Sequence, residues 1–237
     1  MKYFIGLLLV LVSMPALKAQ DCTTYFPART GAEVVMTNYD QKGKVTSTSQ
    51  MKVLEVNQTA EGLQIKVESN IDINEKDKKS KDEENPDLHS KLTFYCKDGE
   101  FYIDMKEFMS NLSLQQYEGM EFDVSSKDMA IPSHPKVGQT LDDGSLTMVI
   151  SNNGVKLITI TVDITNRKVA AKEKVETPAG TFDCFKVTYD IHSRFGFVKT
   201  VGSASVWYAK GIGTVKSENF NKKGKLTDYS LLTRLVK

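Results

Sequence analysis

Hydrophobic and polar side chains alternate with a two-residue period along most of the chain. Leu63, Ile65, Val67, Ile71 and Ile73 fall on one side of an extended segment, with Gln64, Lys66, Glu68 and Asp72 on the other. Ile158, Ile160, Val162 and Ile164 repeat the pattern against Thr159, Thr161 and Asp163, and Phe185, Val187, Tyr189 and Ile191 do so again. That period belongs to a β-strand with one face buried and the other wetted. Turn residues punctuate the runs at Lys42-Gly43, Glu61-Gly62, Asp98-Gly99, Asn152-Asn153-Gly154, Pro178-Ala179-Gly180 and Lys223-Gly224. The pattern predicts a mainly β chain of hairpin-linked antiparallel strands, a curved sheet or an open β-barrel.

One stretch has a different period. Asp104 can cap a helix with Glu107 three positions on, Met105, Phe108, Met109 and Leu112 follow i, i+3, i+4, i+7 spacing, and Gly119 supplies a stop. An amphipathic helix over about 104–118 is therefore expected to cover the sheet. Its apolar stripe reads either as a lining for an apolar ligand or as ordinary core filling. Between Asn74 and Lys91 a run of mixed charges, Glu75 to Glu84, lacks periodic apolar residues and reads as a solvated loop.

A weak repeat links Asn38-Tyr39-Asp40-Gln41-Lys42-Gly43-Lys44-Val45-Thr46 with Asn219-Phe220-Asn221-Lys222-Lys223-Gly224-Lys225-Leu226-Thr227. It reads as a duplicated hairpin or as convergent turn chemistry. Residues 21–237 form a single β-rich domain in this reading, and the duplication option suggests two pseudo-symmetric halves meeting near 132–144.

The first 20 residues have the parts of a cleaved secretory signal: Lys2, the apolar run from Tyr3 to Leu17, and the small residue Ala19. Ser13, Pro15 and Lys18 interrupt or close that run short of a membrane span, so no stable span is expected after cleavage. Composition fits an exported water-soluble protein: 237 residues, 40% hydrophobic and 26% charged, with 31 Lys and Arg against 30 Asp and Glu. So small a net charge provides no general field for nucleic acid. Cys22, Cys96 and Cys184 then lie in an oxidising compartment, where three cysteines make at most one internal disulfide. Cys96 shares a strand face with Leu92 and Phe94, Cys184 lies opposite the Phe185, Val187, Tyr189 face, and Cys22 could reach either.

No residue constellation names an activity. His89, His134 and His192 are isolated from one another, without zinc-ligand spacing. Asp142-Asp143 precede Gly144 in a turn and read as solvent-facing, and Gly211-Ile212-Gly213 lacks the third glycine of a dinucleotide loop. No cofactor or metal is expected. Trp207 and Tyr208 take opposite sides of one strand, so one ring reads either as outward-facing and open to a partner or as sheet-end packing.

Thr177-Pro178-Ala179-Gly180-Thr181-Phe182-Asp183-Cys184-Phe185-Lys186-Val187 and Trp207-Tyr208-Ala209-Lys210-Gly211-Ile212-Gly213-Thr214-Val215-Lys216 resemble a TapB-like family of exported Bacteroidota proteins, akin to an uncharacterised periplasmic domain family. Asp21 to Pro27 and Val137 to Gly144 resemble it too. The resemblance implies periplasmic or cell-surface location in a Gram-negative bacterium, a β fold like the curved sheets of lipoprotein carriers, and no established enzymatic activity, so that it carries over no catalytic residues. The expected function is a non-catalytic envelope binding or accessory protein, for an apolar small molecule or an envelope protein partner. The alternative is a hydrolase whose site assembles only in three dimensions, where His134 or His192 meets a carboxylate and a hydroxyl.

Overall fold

The computed structural model describes residues 22–74, 88–103 and 119–237. The strands are β1 (Glu33–Asp40), β2 (Val45–Thr59), β3 (Gly62–Ile73), β4 (Leu88–Lys97), β5 (Glu100–Ile103), β6 (Met120–Lys127) and β7 (Ile131–Pro132). They continue as β8 (Gly144–Asn152), β9 (Val155–Thr177), β10 (Gly180–Phe195), β11 (Val198–Ala209), β12 (Gly213–Asn221) and β13 (Leu226–Val236). All belong to one 13-stranded sheet in the order β6-β8-β9-β10-β11-β12-β13-β1-β2-β3-β4-β5-β7. The expected open antiparallel β architecture is the one observed. No helix occurs among the described residues. The helix expected over 104–118, with Met105, Phe108, Met109 and Leu112, lies outside them, as do the signal segment and the charged run at 75–84.

Each turn read from the sequence joins two sheet neighbours. Asp98-Gly99 and Asn153-Gly154 form two-residue hairpin loops with positive φ at both positions (52° and 81°, 49° and 75°). This is the type I′ geometry whose twist matches that of the flanking strands. The repeated motif is structural as well. In the β1–β2 hairpin the Asp40 carboxylate accepts from the Lys42 and Lys44 amides at 2.8 and 2.9 Å. In the β12–β13 hairpin the Asn221 side chain accepts from the Lys223 and Lys225 amides at 2.9 and 3.2 Å. Thr46 and Thr227 each donate back to the carbonyl eight residues earlier, on Asn38 and Asn219. The two hairpins lie side by side at the centre of the sheet, where β13 pairs with β1 and Tyr39 stacks on Tyr229 at 4.9 Å.

The sheet is bent into a trough whose rims nearly meet. Thirteen flat strands spaced about 4.8 Å apart would hold the rims roughly 58 Å apart. Yet β6, at one rim, ends at Lys127, and β7, at the other, begins at Ile131. Four Cα steps reach at most about 14 Å. Gly144, at the start of β8, permits this crossing: a Cβ there would lie 2.2 Å from Met129 Cγ. The principal core includes Val34, Val53, Ile65, Val67, Phe94 and Leu232 on the inside of the trough, and Cys184 and Trp207 join it from the other face.

Candidate functional site

Residues paired across neighbouring strands share a sheet face. The pairs Val34–Met51, Ile65–Phe94, Phe94–Ile103 and Cys96–Phe101 place one wall of the trough on β1 to β5. Phe185–Tyr208 and Val187–Val206 place the opposite wall on β10 and β11. The N-terminal segment runs between them. Phe26 stacks on Phe94 at 4.5 Å, Phe94 stacks on Phe101 at 5.3 Å, and Tyr25 stands edge-on to Phe101 and Tyr208 at 6.2 and 6.3 Å. Between the walls remains a cavity of about 290 Å³, its lining including Leu92, Phe94, Phe101, Ile103 and Met129 on one side and Val187, Tyr189, Tyr208 and Arg167 on the other.

Arg167 is the cation in this lining, and it is 3% exposed. A bulge in β9 puts it there. Thr188 pairs with Lys168 and Asp190 with Thr165, which leaves one extra residue in β9, and Asn166 takes a left-handed φ of 55°. The bulge reverses the alternation, so that Arg167 and Val169 join the face that Ile164 occupies before it. One terminal guanidinium nitrogen donates to the Ala130 carbonyl at 3.0 Å and the other to the Asp142 carbonyl. The Nε is buried without a hydrogen-bond partner. Among the described residues no carboxylate lies within ion-pair distance of it; burial lowers the guanidinium pKa, partly opposed by Tyr208, Tyr189, Asp143 and Asp142. Burial likewise raises the Tyr208 and Tyr189 phenols, with Arg167 pulling both back, and pushes Tyr25 up to about 12. All three rings are neutral at ordinary pH, and the Tyr25 hydroxyl donates to the Pro132 carbonyl at 3.4 Å. Chemically the cavity offers an apolar body, neutral hydroxyls and one positive corner.

Of the two partners open to Cys22, the structure selects Cys96. Cys96 lies in the trough beside the N-terminal segment, and Thr23 anchors the same segment by donating its amide to the Ser133 hydroxyl at 2.9 Å. Cys184 is fully buried and free; through its pairing with Glu173 it lies on the opposite face, with Trp207. Burial pushes its thiol up to about 11, with Asp183 and Glu173 adding to the shift. A thiol so poorly ionised is a weak nucleophile.

Of the two readings of the β11 rings, the structure selects packing over exposure. Trp207 is 4% exposed: its indole N–H donates to Glu173 at 2.6 Å, and the Lys186 and Lys216 ammonium groups sit 4.6 and 4.7 Å from its ring. Tyr208 faces the cavity. Neither ring is free for a surface contact, because the curled sheet covers both faces of this strand.

Asp142 and Asp143 are exposed, as a turn reading requires. His134 is exposed beside Ser133. His89 bonds Asn70 at 2.6 Å and meets Glu68 at 3.4 Å. His192 lies near both a carboxylate and a hydroxyl: Ser145 pairs with Asp163 and Asp163 with His192 across three adjacent strands, and all three line a shallow polar depression. No hydrogen bond links them. The carboxylate sits between the imidazole and the hydroxyl, whereas a serine relay needs the imidazole in the middle. No group of three or more His, Cys, Asp or Glu among the described residues could hold a metal.

Arg167, Tyr25 and Phe26 are the site residues that the strand pattern alone does not reveal. The available signal for Arg167 is Asn166, a residue type that tolerates left-handed backbone and so marks a phase change.

A family model described as DUF3108-like matches residues 29–232. No curated protein matches the chain. A solved structure from Bacteroides fragilis, described as that of an exported protein with a YmcC-like fold, is similar with a TM-score of 0.70 and 25% identity, covering 91% of this chain and 100% of that one. Another, from Parabacteroides distasonis and described as a lipoprotein, is similar with a TM-score of 0.70 and 27% identity, covering 92% of this chain and 100% of that one. The TapB-like designation does not occur in these descriptions.

Proposed function

The chain belongs to the DUF3108-like family, and from that premise we propose that it is a non-catalytic binding protein of the cell envelope that takes an apolar ligand into its trough. The observation that carries this reading is the cavity of about 290 Å³ between aromatic and aliphatic walls. Ligand sites are characteristically concave and mostly apolar with a few placed polar groups. Envelope location draws on the Cys22–Cys96 disulfide, which suits an oxidising compartment, and on the exported and lipoprotein descriptions of the two structural neighbours. In this chain the Cys22 sulfur is committed to Cys96 and is not available for a lipid thioether. The hydrolase alternative would draw on Ser145, Asp163 and His192, whose order across the strands does not suit a proton relay.

The test is titration with N-phenyl-1-naphthylamine, an uncharged fluorophore that brightens in apolar surroundings. Saturable one-to-one binding is expected, and Ile103→Trp, which fills the cavity from the short strand β5, should abolish it while the variant still unfolds cooperatively. Overpacking of this kind typically costs about 1–3 kcal/mol. Absence of saturable binding, or binding indifferent to Ile103→Trp, would overturn the reading.

A further inference from the structure

We infer that the ligand is an amphiphile with a compact anionic head, seated with that head against Arg167 and its apolar body against Phe94 and Phe101. The inference rests on the proposed binding role and adds what the site selects. Arg167 is 3% exposed, lines the cavity, and keeps an Nε–H with no acceptor. Buried charges are normally paired, because a cation removed from water without an anion is costly. Two carbonyls, on Ala130 and Asp142, each take one N–H of a terminal nitrogen but carry no net charge. Among the described residues Asp142 and Asp143 are the acids that act on it, and both side chains are exposed. The remaining polar groups at this corner, the Tyr189 and Tyr208 hydroxyls, are neutral and able to donate.

A structural role accounts for two of the three guanidinium nitrogens: they tie the segment that crosses between the sheet rims. It does not account for the third, nor for a charge where a neutral donor would serve the carbonyls equally well. A carboxylate or phosphate oxygen at that corner neutralises the charge, with the N–H groups that the two carbonyls leave over as the donors available to it. Ionic hydrogen bonds of this type are shorter and stronger than neutral ones. The apolar remainder is limited in size. At roughly 30 Å³ per water-sized group, about 290 Å³ holds a chain on the order of ten heavy atoms.

The experiment displaces the bound neutral fluorophore with three ten-carbon competitors: decanoate, decyl phosphate and 1-decanol. Either anion should compete about 10- to 100-fold better than the alcohol, as a charged hydrogen bond in a buried site implies. The better of the two anions identifies the source as a free acid or a phosphate-headed lipid. In Arg167→Met, which keeps the bulk of the side chain, the three should converge on one another, whatever affinity the variant has for the fluorophore. Should that variant fail to fold, the wild-type protein decides through pH, since decanoate should lose its advantage as acid protonates it while decanol is unaffected. Equal displacement by anions and alcohol in the wild type overturns the anionic-head inference and leaves the apolar cavity standing. Failure of the fluorophore itself to bind instead removes the binding role.

Discussion

Cys184 shows how burial rather than sequence neighbourhood decides the chemistry of a side chain. Its thiol is raised from the ordinary 9.0 to about 11 by desolvation. Between those values the unfolded chain releases the proton while the folded chain holds it, so the unfolded state is stabilised relative to the folded one as pH rises. The contribution of this group is therefore complete below about pH 9 and declines as pH climbs toward 11. Tyr25, raised from 10.0 to about 12, extends the decline. Urea midpoints measured from pH 8 to pH 11 should fall, and fall less steeply in Cys184→Ala, which at neutral pH should cost about 1 kcal/mol for the small void it leaves. At pH 8 the native protein should not react with Ellman's reagent, whereas the unfolded, unreduced chain should titrate one thiol. Rapid labelling of the native state would show that Cys184 is accessible and nucleophilic.

At the scale of elements, most strands were legible because one wetted face and one buried face impose a period of two, and because the hairpin loops use residues that accept positive φ. What stayed hidden were breaks in that period. Asn166 lies inside a run that otherwise reads as one 23-residue strand, and only its paired register shows that it displaces Arg167 into the trough. Ile71, placed by alternation on the apolar face of β3, is 41% exposed, because the core ends before it. The repeated hairpin gives a controlled comparison of two local solutions. Asp40 and Asn221 accept the same pair of amides, but only Asp40 can be protonated, and its carboxyl lies below the usual 3.8 because it accepts from the Lys44 and Lys42 amides. A carboxyl lowered in the folded state stabilises fully above its unfolded value, and that contribution is lost as pH falls through the folded one. Acid titration followed by amide NMR should thus shift Lys42 and Lys44 below pH 3.8 and leave Lys223 and Lys225 in place. Asn221→Ala should cost about 1 kcal/mol, the net worth of a typical hydrogen bond. Coincident acid shifts in both hairpins would mean that global unfolding, not the Asp40 turn, is being observed.

For the molecule as a whole, strand order was the least legible property, since no local pattern announces that β6 leaves one rim for the other and that β7 returns. Those crossings turn an open sheet into a trough, and the N-terminal segment then closes part of it. Four attachments hold that segment: the Cys22–Cys96 disulfide, the Thr23 amide on the Ser133 hydroxyl, the Thr24 carbonyl accepting from Gly211 at 2.8 Å, and the Tyr25 hydroxyl on the Pro132 carbonyl. The covalent one is the strongest candidate for keeping Tyr25 and Phe26 in place. It spans 74 residues of sequence, and closing a loop of that length is worth about 4 kcal/mol when the gain is attributed to a restricted unfolded chain. The double variant Cys22→Ser, Cys96→Ser should accordingly lose about 2–5 kcal/mol in denaturant unfolding. The loss should also have a location. Hydrogen exchange should accelerate first at the Thr23 and Gly211 amides, which the segment protects, and little at Val215 or Leu232 in the buried centre. Because the displaced segment carries Tyr25 and Phe26 away from Phe94 and Phe101, fluorophore binding should weaken in the same variant under conditions where its sheet is still folded. Uniform acceleration across the sheet, with binding unchanged, would instead make the disulfide a global staple with no part in shaping the cavity.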